Sequence, residues 1–335
     1  MIQPTRDVAL FSLAIDVGGT KTLIAILDSE GTIVSETAHK TPIAGVEGLE
    51  QSDMERIVEL VRSVAFDYAA GIRSSSNVAV QLDVAVVGVP EYVSPDGLVV
   101  AEEVLTGAQD ATHLFQDAWA DCGWVAARTV IDSDVRLGAR GELVHGAGIE
   151  YPSYAYLSIG TGLSSTFVIG GTIWVGRRGE AIALGEWPVP AACADSAGAQ
   201  RTTLEHFASG AAISRRYAAV TGEHVSATVV AERAHTGDDS AAHQVVTSAG
   251  AAIGRVAGML VGVLDPDAVV LGGGLGTSTG LFHQALAAEF GCTTEPRPSP
   301  PALVIARSGA RAGLLGGVTL ARSQIDHAGH DPRVS

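Results

Sequence analysis

An apolar run, Leu10 to Val17, ends in Gly18-Gly19-Thr20 and is followed by a second run, Thr22 to Leu27, a DSEG turn and a third β-rich run, Thr32 to Glu36. Near the middle of the chain the pattern returns: Tyr154 to Ile159, Gly160-Thr161-Gly162, Ser165 to Ile169, Gly170-Gly171, Thr172 to Val175. Strand, glycine turn, strand, turn, strand is a three-strand meander, and meeting it twice marks an internal duplication. A repeat of about half the chain is too long for a solenoid, so the expected geometry is two related lobes facing each other across a cleft lined by both turns. A hairpin needs glycine where φ is positive. Gly18-Gly19-Thr20-Lys21 and Gly160-Thr161-Gly162 also leave rows of backbone N–H groups with no bulky side chain above them, which suits an anion.

Between and after the two copies, helical and strand patterns alternate. Leu49, Met54, Ile57, Val58 and Val61 recur at helical spacing within Gly48 to Ser63. Leu82 to Val89 reads as a buried strand ending at Pro90, and Val130-Ile131 steps into Asp132-Ser133-Asp134, with a helix predicted from Val135 to Val144. Helices are predicted over Ala208 to Val220, Ser240 to Leu264 and Leu281 to Glu289, and strands over Ala268 to Leu271 and Ala302 to Ala306. This alternation makes the chain α/β. The predicted division is a smaller N-terminal lobe over 1–132, joined by a C-terminal helix at about 310–323, a larger lobe over 133–309, and a polar tail over 324–335.

With 335 residues, 47% of them hydrophobic and 17% charged, the chain has the composition of a globular protein with ample core. Acidic residues number 37 against 21 basic, a net charge of −16, which opposes nucleic-acid partners. Cys122, Cys193 and Cys292 form an odd set without CxxC spacing, consistent with a reducing compartment. The amino terminus has no apolar h-region, and no later apolar run avoids Gly or charge over the length of a membrane span. A cytoplasmic location and no membrane partner are therefore expected.

Asp16 closes a buried strand just before the first glycine turn, so its carboxylate projects where backbone N–H groups gather. Two readings stand: an acid holding Mg2+, directly or through water, beside phosphates, or an Asp capping its own turn. A Walker A pattern is absent from the sequence. Asp134 lies at a strand-to-helix junction, where it can accept the proton of an attacking hydroxyl, or belong with Asp132 and Ser133 to a helix cap. Glu186 and Glu205 suit bidentate hydrogen bonds to vicinal hydroxyls, or are solvated acids. Gly272-Gly273-Gly274 after a strand allows an adenine or ribose close to the backbone. The histidines show no HxH or HExxH spacing.

In order along the chain, Ala14-Ile-Asp-Val-Gly-Gly-Thr-Lys-Thr22, Gly88-Val-Pro90, Asp134 with Gly141-Glu142 and Gly146-Ala-Gly148, Gly160-Thr-Gly162, Gly185-Glu186, Leu204-Glu205 with Ser209-Gly210, and Leu271-Gly-Gly-Gly274 resemble the ROK family of sugar kinases and repressors. The resemblance implies an actin-like ATPase, ribonuclease-H-like, duplicated fold with its active site between the lobes. It also implies ATP-dependent transfer of the γ-phosphoryl group to a hexose hydroxyl, usually O6, and a homodimer. By matching position, Asp134 is the general base and Asp16 the acid near Mg2+. Gly18, Gly19, Thr20 and Lys21, with Gly160, Thr161 and Gly162, form the phosphate loops. Gly272, Gly273 and Gly274 lie on the nucleotide side, and Glu186 and Glu205 are sugar-binding carboxylates.

Three departures stand out. Ser133 replaces the Asn that contacts sugar, Val189 replaces the His of the ExGH stretch, and the cysteine-rich zinc segment has become Cys193 to Thr203 with one thiol. One thiol cannot make a tetrahedral zinc site. No structural zinc is therefore expected, and the substrate loop is predicted to be held by packing around Trp187 and Pro188. Losing an imidazole and an amide removes donors that discriminate between related sugars, which opens the acceptor class to amino-hexoses beside glucose. Two alternatives to a kinase are a non-enzymatic sugar sensor and a degenerate kinase acting as a binding protein. The sensor is disfavoured because the first glycine turn begins at Gly18, leaving no room for a DNA-binding helix-turn-helix.

Overall fold

The computed structural model describes residues 8–43, 51–75, 78–189 and 202–328. The chain forms two compact units: 1–141 with 176–180 and 311–335, and 142–175 with 181–310.

In unit 1 the meander is β1 (Val8–Val17), β2 (Lys21–Leu27) and β3 (Ile33–Lys40). It is followed by α1 (Asp53–Ser75), β4 (Ala79–Val89), α2 (Ala111–Asp121), β5 (Arg128–Ser133) and α3 (Asp134–His145), whose last residues pass into unit 2. The C-terminal helix, Ala312–Ala328, returns to unit 1. The sheet order is β3-β2-β1-β4-β5, with β1 antiparallel to β2 and parallel to β4. Both faces are covered. Leu13, Ile15 and Val17 point into a core with α1 and α2, while Ala14, Ala25 and Val86 meet Leu137 of α3 and Leu314 and Val318 of the C-terminal helix. Burial on both faces is why these strands read as unbroken apolar runs.

Unit 2 repeats the plan with β6 (Tyr154–Ile159), β7 (Leu163–Ile169) and β8 (Thr172–Trp174), then α4 (Leu204–Ala208), α5 (Gly210–Thr221), α6 (Ala227–Thr236) and α7 (Ser240–Leu264). It closes with β9 (Ala268–Gly272), the short α8 (Gly273–Gly276), α9 (Leu281–Thr294) and β10 (Ala302–Ile305). The order β10-β9-β6-β7-β8 is the order of the first sheet read in reverse, with β6 in the place of β1 and β9 in the place of β4. Helix α7 is long and apolar enough to cross a membrane, but most of it is buried in the core of unit 2. Glu142, fully buried, accepts the N–H groups of Ala147, Arg307 and Ser308 and so ties the turn after α3 to the turn after β10.

Local chemistry moved several predicted boundaries. Helix α1 starts at Asp53 because Ser52 and Glu55 form a reciprocal capping box, and it runs on to Ser75. The helix predicted over Ala208 to Val220 is α5, shifted to Gly210–Thr221, and the short α4 that precedes it was not predicted. Ser209 is extended, with φ −69° and ψ 166°, and its hydroxyl caps α5 through the Ala212 N–H.

Candidate active site

Strands β1, β4 and β5 run parallel, so their carboxyl ends share one edge of the unit 1 sheet, the edge where α/β proteins place reactive groups. Asp16 pairs with Gly88 on the ladder, and Val89 pairs with Ser133, the residue before Asp134. A Cβ on Gly88 would stand 2.7 Å from a Leu137 methyl, 3.5 Å from the Ile15 carbonyl oxygen and 3.6 Å from the Asp134 Cα. Its bare backbone lets the start of α3 close onto β1.

Asp134 accepts the Val135 N–H at 2.6 Å. Burial, then the like charge of Asp16, push its pKa up to about 7; the Val135 hydrogen bond opposes this and the Glu91 charge adds to it. Burial raises Asp16 to about 6, and Lys21 offsets part of the rise. A carboxylate titrating near neutrality is suited to taking a proton at physiological pH. Neither Asp132 nor Ser133 caps α3. The Asp132 carboxylate receives the Ser133 N–H at 2.8 Å and Arg136 Nε at 2.6 Å. Ser133 is 1% exposed, and its hydroxyl lies beside the Asp134 carboxylate.

The donor chemistry at this edge fits Mg2+, a hard cation that takes one or two carboxylates and completes its shell with water and phosphate oxygen. A recessed carboxylate whose proton affinity is raised by burial and by the charge of a second is what a divalent cation relieves.

Sequence reasoning missed four neighbours of this edge. Thr41, 3% exposed, donates its hydroxyl to the Gly18 carbonyl at 2.6 Å and its N–H to the Thr20 carbonyl at 3.1 Å. With these carbonyls tied down on one side, Gly19, Thr20 and Lys21 stay exposed on the other. Glu91, 2% exposed, accepts the N–H groups of Glu103, Val104 and Leu105 at 2.6 to 2.9 Å. Arg136, 1% exposed, joins Asp132 to the Val93 carbonyl. Gly313, in the first turn of the C-terminal helix, abuts the Asp16 carboxylate, where a Cβ would stand 2.5 Å from its carbon. Arg136 and Glu91 carried a signal, as charges in apolar surroundings; Thr41 and Gly313 carried none.

In unit 2 the second glycine turn is equally restrained. The Gly160 carbonyl accepts the Gly210 N–H at 2.8 Å and the Thr161 carbonyl accepts the Ala211 N–H at 3.0 Å, while Thr161 and Gly162 are exposed. Glu205 Oε2 accepts the Leu163 N–H at 2.9 Å. Glu186 is exposed, at the end of a 3-10 turn, Ala183–Glu186. Of the three glycines after β9, Gly272 and Gly273 have their Cβ positions filled by Tyr156 and by the Ile159 backbone, Gly273 with φ +75°; only Gly274 faces open space. Two of the three thus serve the strand-to-helix turn.

The loop after Glu186 corrects one expectation. Trp187 is 39% exposed and Pro188 is exposed, so their side chains do not hold it. Main-chain pairing does: Val189 N–H to the Thr202 carbonyl and Leu204 N–H to the Trp187 carbonyl, while Val189 packs on the unit 2 core. Cys193 and the rest of 190–201, on which the zinc expectation falls, lie outside the described residues.

The chain is 27% identical to a bifunctional enzyme NanE/NanK of Brucella melitensis over 92% of its own length and 53% of that protein's, so it spans about half of that relative. It is 26% identical to an N-acetyl-D-glucosamine kinase of Pasteurella multocida, over 91% of this chain and 97% of that one. A ROK family glucokinase from Streptomyces griseus, solved with glucose and AMPPNP, superposes with a TM-score of 0.70 at 23% identity, covering 93% of this chain and 99% of that one. The actin-like fold of such proteins is the fold seen in both sheets here. The ROK family model matches residues 12–324, a stretch that takes in both glycine turns and both recessed aspartates, and the chain belongs to that family.

Proposed function

We propose that this protein is an ATP-dependent sugar kinase that transfers the γ-phosphoryl group of ATP to a hydroxyl, O6, of a glucose-like or amino-hexose. The observation that carries the reading is Asp134. It is recessed at the carboxyl edge of the unit 1 sheet, with a pKa of about 7, beside a second aspartate and a glycine turn whose carbonyls are tied away from solvent.

Asp134 accepts the proton of the sugar hydroxyl as that oxygen forms a bond to the γ-phosphorus, and the bond to the leaving ADP oxygen breaks, its electron pair going with ADP. Bound Mg2+ neutralises charge on the phosphates, and Asp16 would hold it, directly or through water. In unit 1 the exposed Gly19, Thr20 and Lys21 are available to phosphate oxygens, and in unit 2 the exposed Thr161 and Gly162 are. Gly274 gives the nucleotide close access to the backbone beside Gly272 and Gly273. Glu186 and Glu205 accept sugar hydroxyls, and the buried Ser133 hydroxyl takes the place of the family's amide.

Having Ser133 and Val189 in place of an amide and an imidazole favours acceptors beyond plain glucose. The sugar-kinase relatives, N-acetylglucosamine kinase among them, support the same class. ADP release in a coupled assay across hexoses, free amino-hexoses and N-acetylated amino-hexoses tests the proposal. Sugar-dependent turnover is expected with at least one acceptor, and its absence with every acceptor would overturn the reading.

A further inference from the structure

We infer that Glu205 is a positioning residue for the nucleotide loop as well as a sugar ligand, one carboxylate oxygen serving the loop and the other the sugar. The inference rests on the kinase reading and extends it to a residue otherwise assigned to the sugar alone.

The Gly160–Gly162 turn is splinted by a single stretch of chain, 205–211. The Gly160 N–H folds back on the Gly162 carbonyl at 3.0 Å. The carbonyls of Gly160 and Thr161 accept the first two N–H groups of α5, from Gly210 and Ala211. The exit of the turn, the Leu163 N–H, donates to Glu205 Oε2 at 2.9 Å. Glu205 is itself held, since its carbonyl accepts the Ser209 N–H at 3.1 Å and Ser209 caps α5.

Two glycines make this reach possible. A Cβ on Gly162 would stand 3.3 Å from Glu205 Oε2, and one on Gly185 would stand 3.3 Å from the same oxygen and 2.5 Å from the Leu163 carbonyl. The carboxylate is thus seated against bare backbone on two sides, with one oxygen committed to the loop.

A Gly-Thr-Gly turn has much conformational freedom to lose, and ordering it opposes binding. Bonds that order the turn beforehand spare nucleotide binding that loss. Glu205 supplies the one such bond made by a side chain of this stretch at the exit of the turn, where a phosphate oxygen would meet the exposed N–H groups of Thr161 and Gly162. The second oxygen is the one left to the sugar.

The test is the dissociation constant of AMPPNP with Mg2+, measured by calorimetry without sugar, for the wild-type protein, Glu205→Ala, Glu205→Gln and Glu205→Asp. Glutamine keeps one carbonyl oxygen for the Leu163 N–H but places an amide NH2 where the other oxygen was. Glu205→Gln should bind nucleotide within about twofold of wild type while its KM for the sugar rises at least tenfold. Glu205→Ala should weaken nucleotide binding roughly tenfold, the effect of one lost hydrogen bond to a charged acceptor. Aspartate, one methylene shorter and still charged, should follow alanine, and it serves if alanine does not fold. Wild-type nucleotide affinity in both shortened variants would overturn the inference alone, as would a Glu205→Gln protein no better than Glu205→Ala. A wild-type protein that binds no AMPPNP would overturn the kinase reading itself, and the inference with it.

Discussion

Replacing Gly313 by alanine adds one methyl group at the point where the C-terminal helix meets Asp16. The new Cβ would stand 2.5 Å from the carboxyl carbon and 2.5 and 2.6 Å from its oxygens, roughly 1 Å inside a comfortable carbon contact. The helix cannot back away cheaply. Three residues on, Gly316 lies against the Leu137 carbonyl, and a Cβ on Gly317 would be 3.2 Å from that of Ala14. Asp16 must therefore move. Alanine for glycine in an open helix position gains up to about 1 kcal/mol, while overpacking of this kind costs about 1–3 kcal/mol, so the loss wins. Gly71→Ala in α1 of the same unit is the control, since its methyl would meet nothing within 4 Å. Urea denaturation should place Gly313→Ala about 1–3 kcal/mol below Gly71→Ala. If Asp16 holds Mg2+ as proposed, displacing its carboxylate by about 1 Å should lower kcat on the order of a hundredfold, with Gly71→Ala unchanged. Equal stability of the two variants with equal turnover would show that the contact with Asp16 has no force.

The titration of the aspartates predicts the stability of unit 1 as well as its chemistry. The folded protein keeps the protons of Asp134 and Asp16 up to about pH 7 and 6, whereas the ordinary value is 3.8, so between these limits the folded state binds more protons and stability falls as pH rises. In magnesium-free buffer Asp134→Asn should thus be more stable than wild type at pH 8, by on the order of 1–4 kcal/mol, and no more stable at pH 3; a pH-independent difference in urea denaturation would refute this. The same variant should lose kcat by orders of magnitude with little change in sugar KM. Metal analysis of protein purified without added zinc should find far less than one equivalent, because Cys193 is the only thiol left in the segment; a value near one would show that other ligands have taken over.

The duplication was legible because its central strands are buried on both faces and so appear as continuous apolar runs, broken by glycines that cannot be mistaken for core. Helix α7 was read to the residue, Ser240 to Leu264, from a composition dominated by small and apolar residues. The short α4 before Ser209 was hidden because Phe207, Ala208, Ala212 and Ile213 keep a helical spacing across that serine. A capping serine is visible in sequence only once the break is suspected.

At the site, sequence could flag acids at strand ends but not what fixes them. Thr41 lies far along the chain from the carbonyl it holds at Gly18, and Gly313 farther still from Asp16, and both contacts depend on the exact seating of one element against another. The paired registers show why the acids themselves were informative. Asp16 sits opposite Gly88 on β4, and Ser158 sits opposite Gly272 on β9, at equivalent points of the two sheets. Each partner has a bare backbone where its neighbour closes in, Leu137 on Gly88 and Tyr156 on Gly272. The duplicated scaffold has kept the close approach in both units, yet the carboxylate stands in only one. A residue needed for the turn alone would have no reason to differ between copies, so the asymmetry of Asp16 and Ser158 points to a charge used by chemistry in unit 1. Exchanging them tests the point: Asp16→Ser should leave the sheet folded and abolish turnover, whereas Ser158→Ala should spare it.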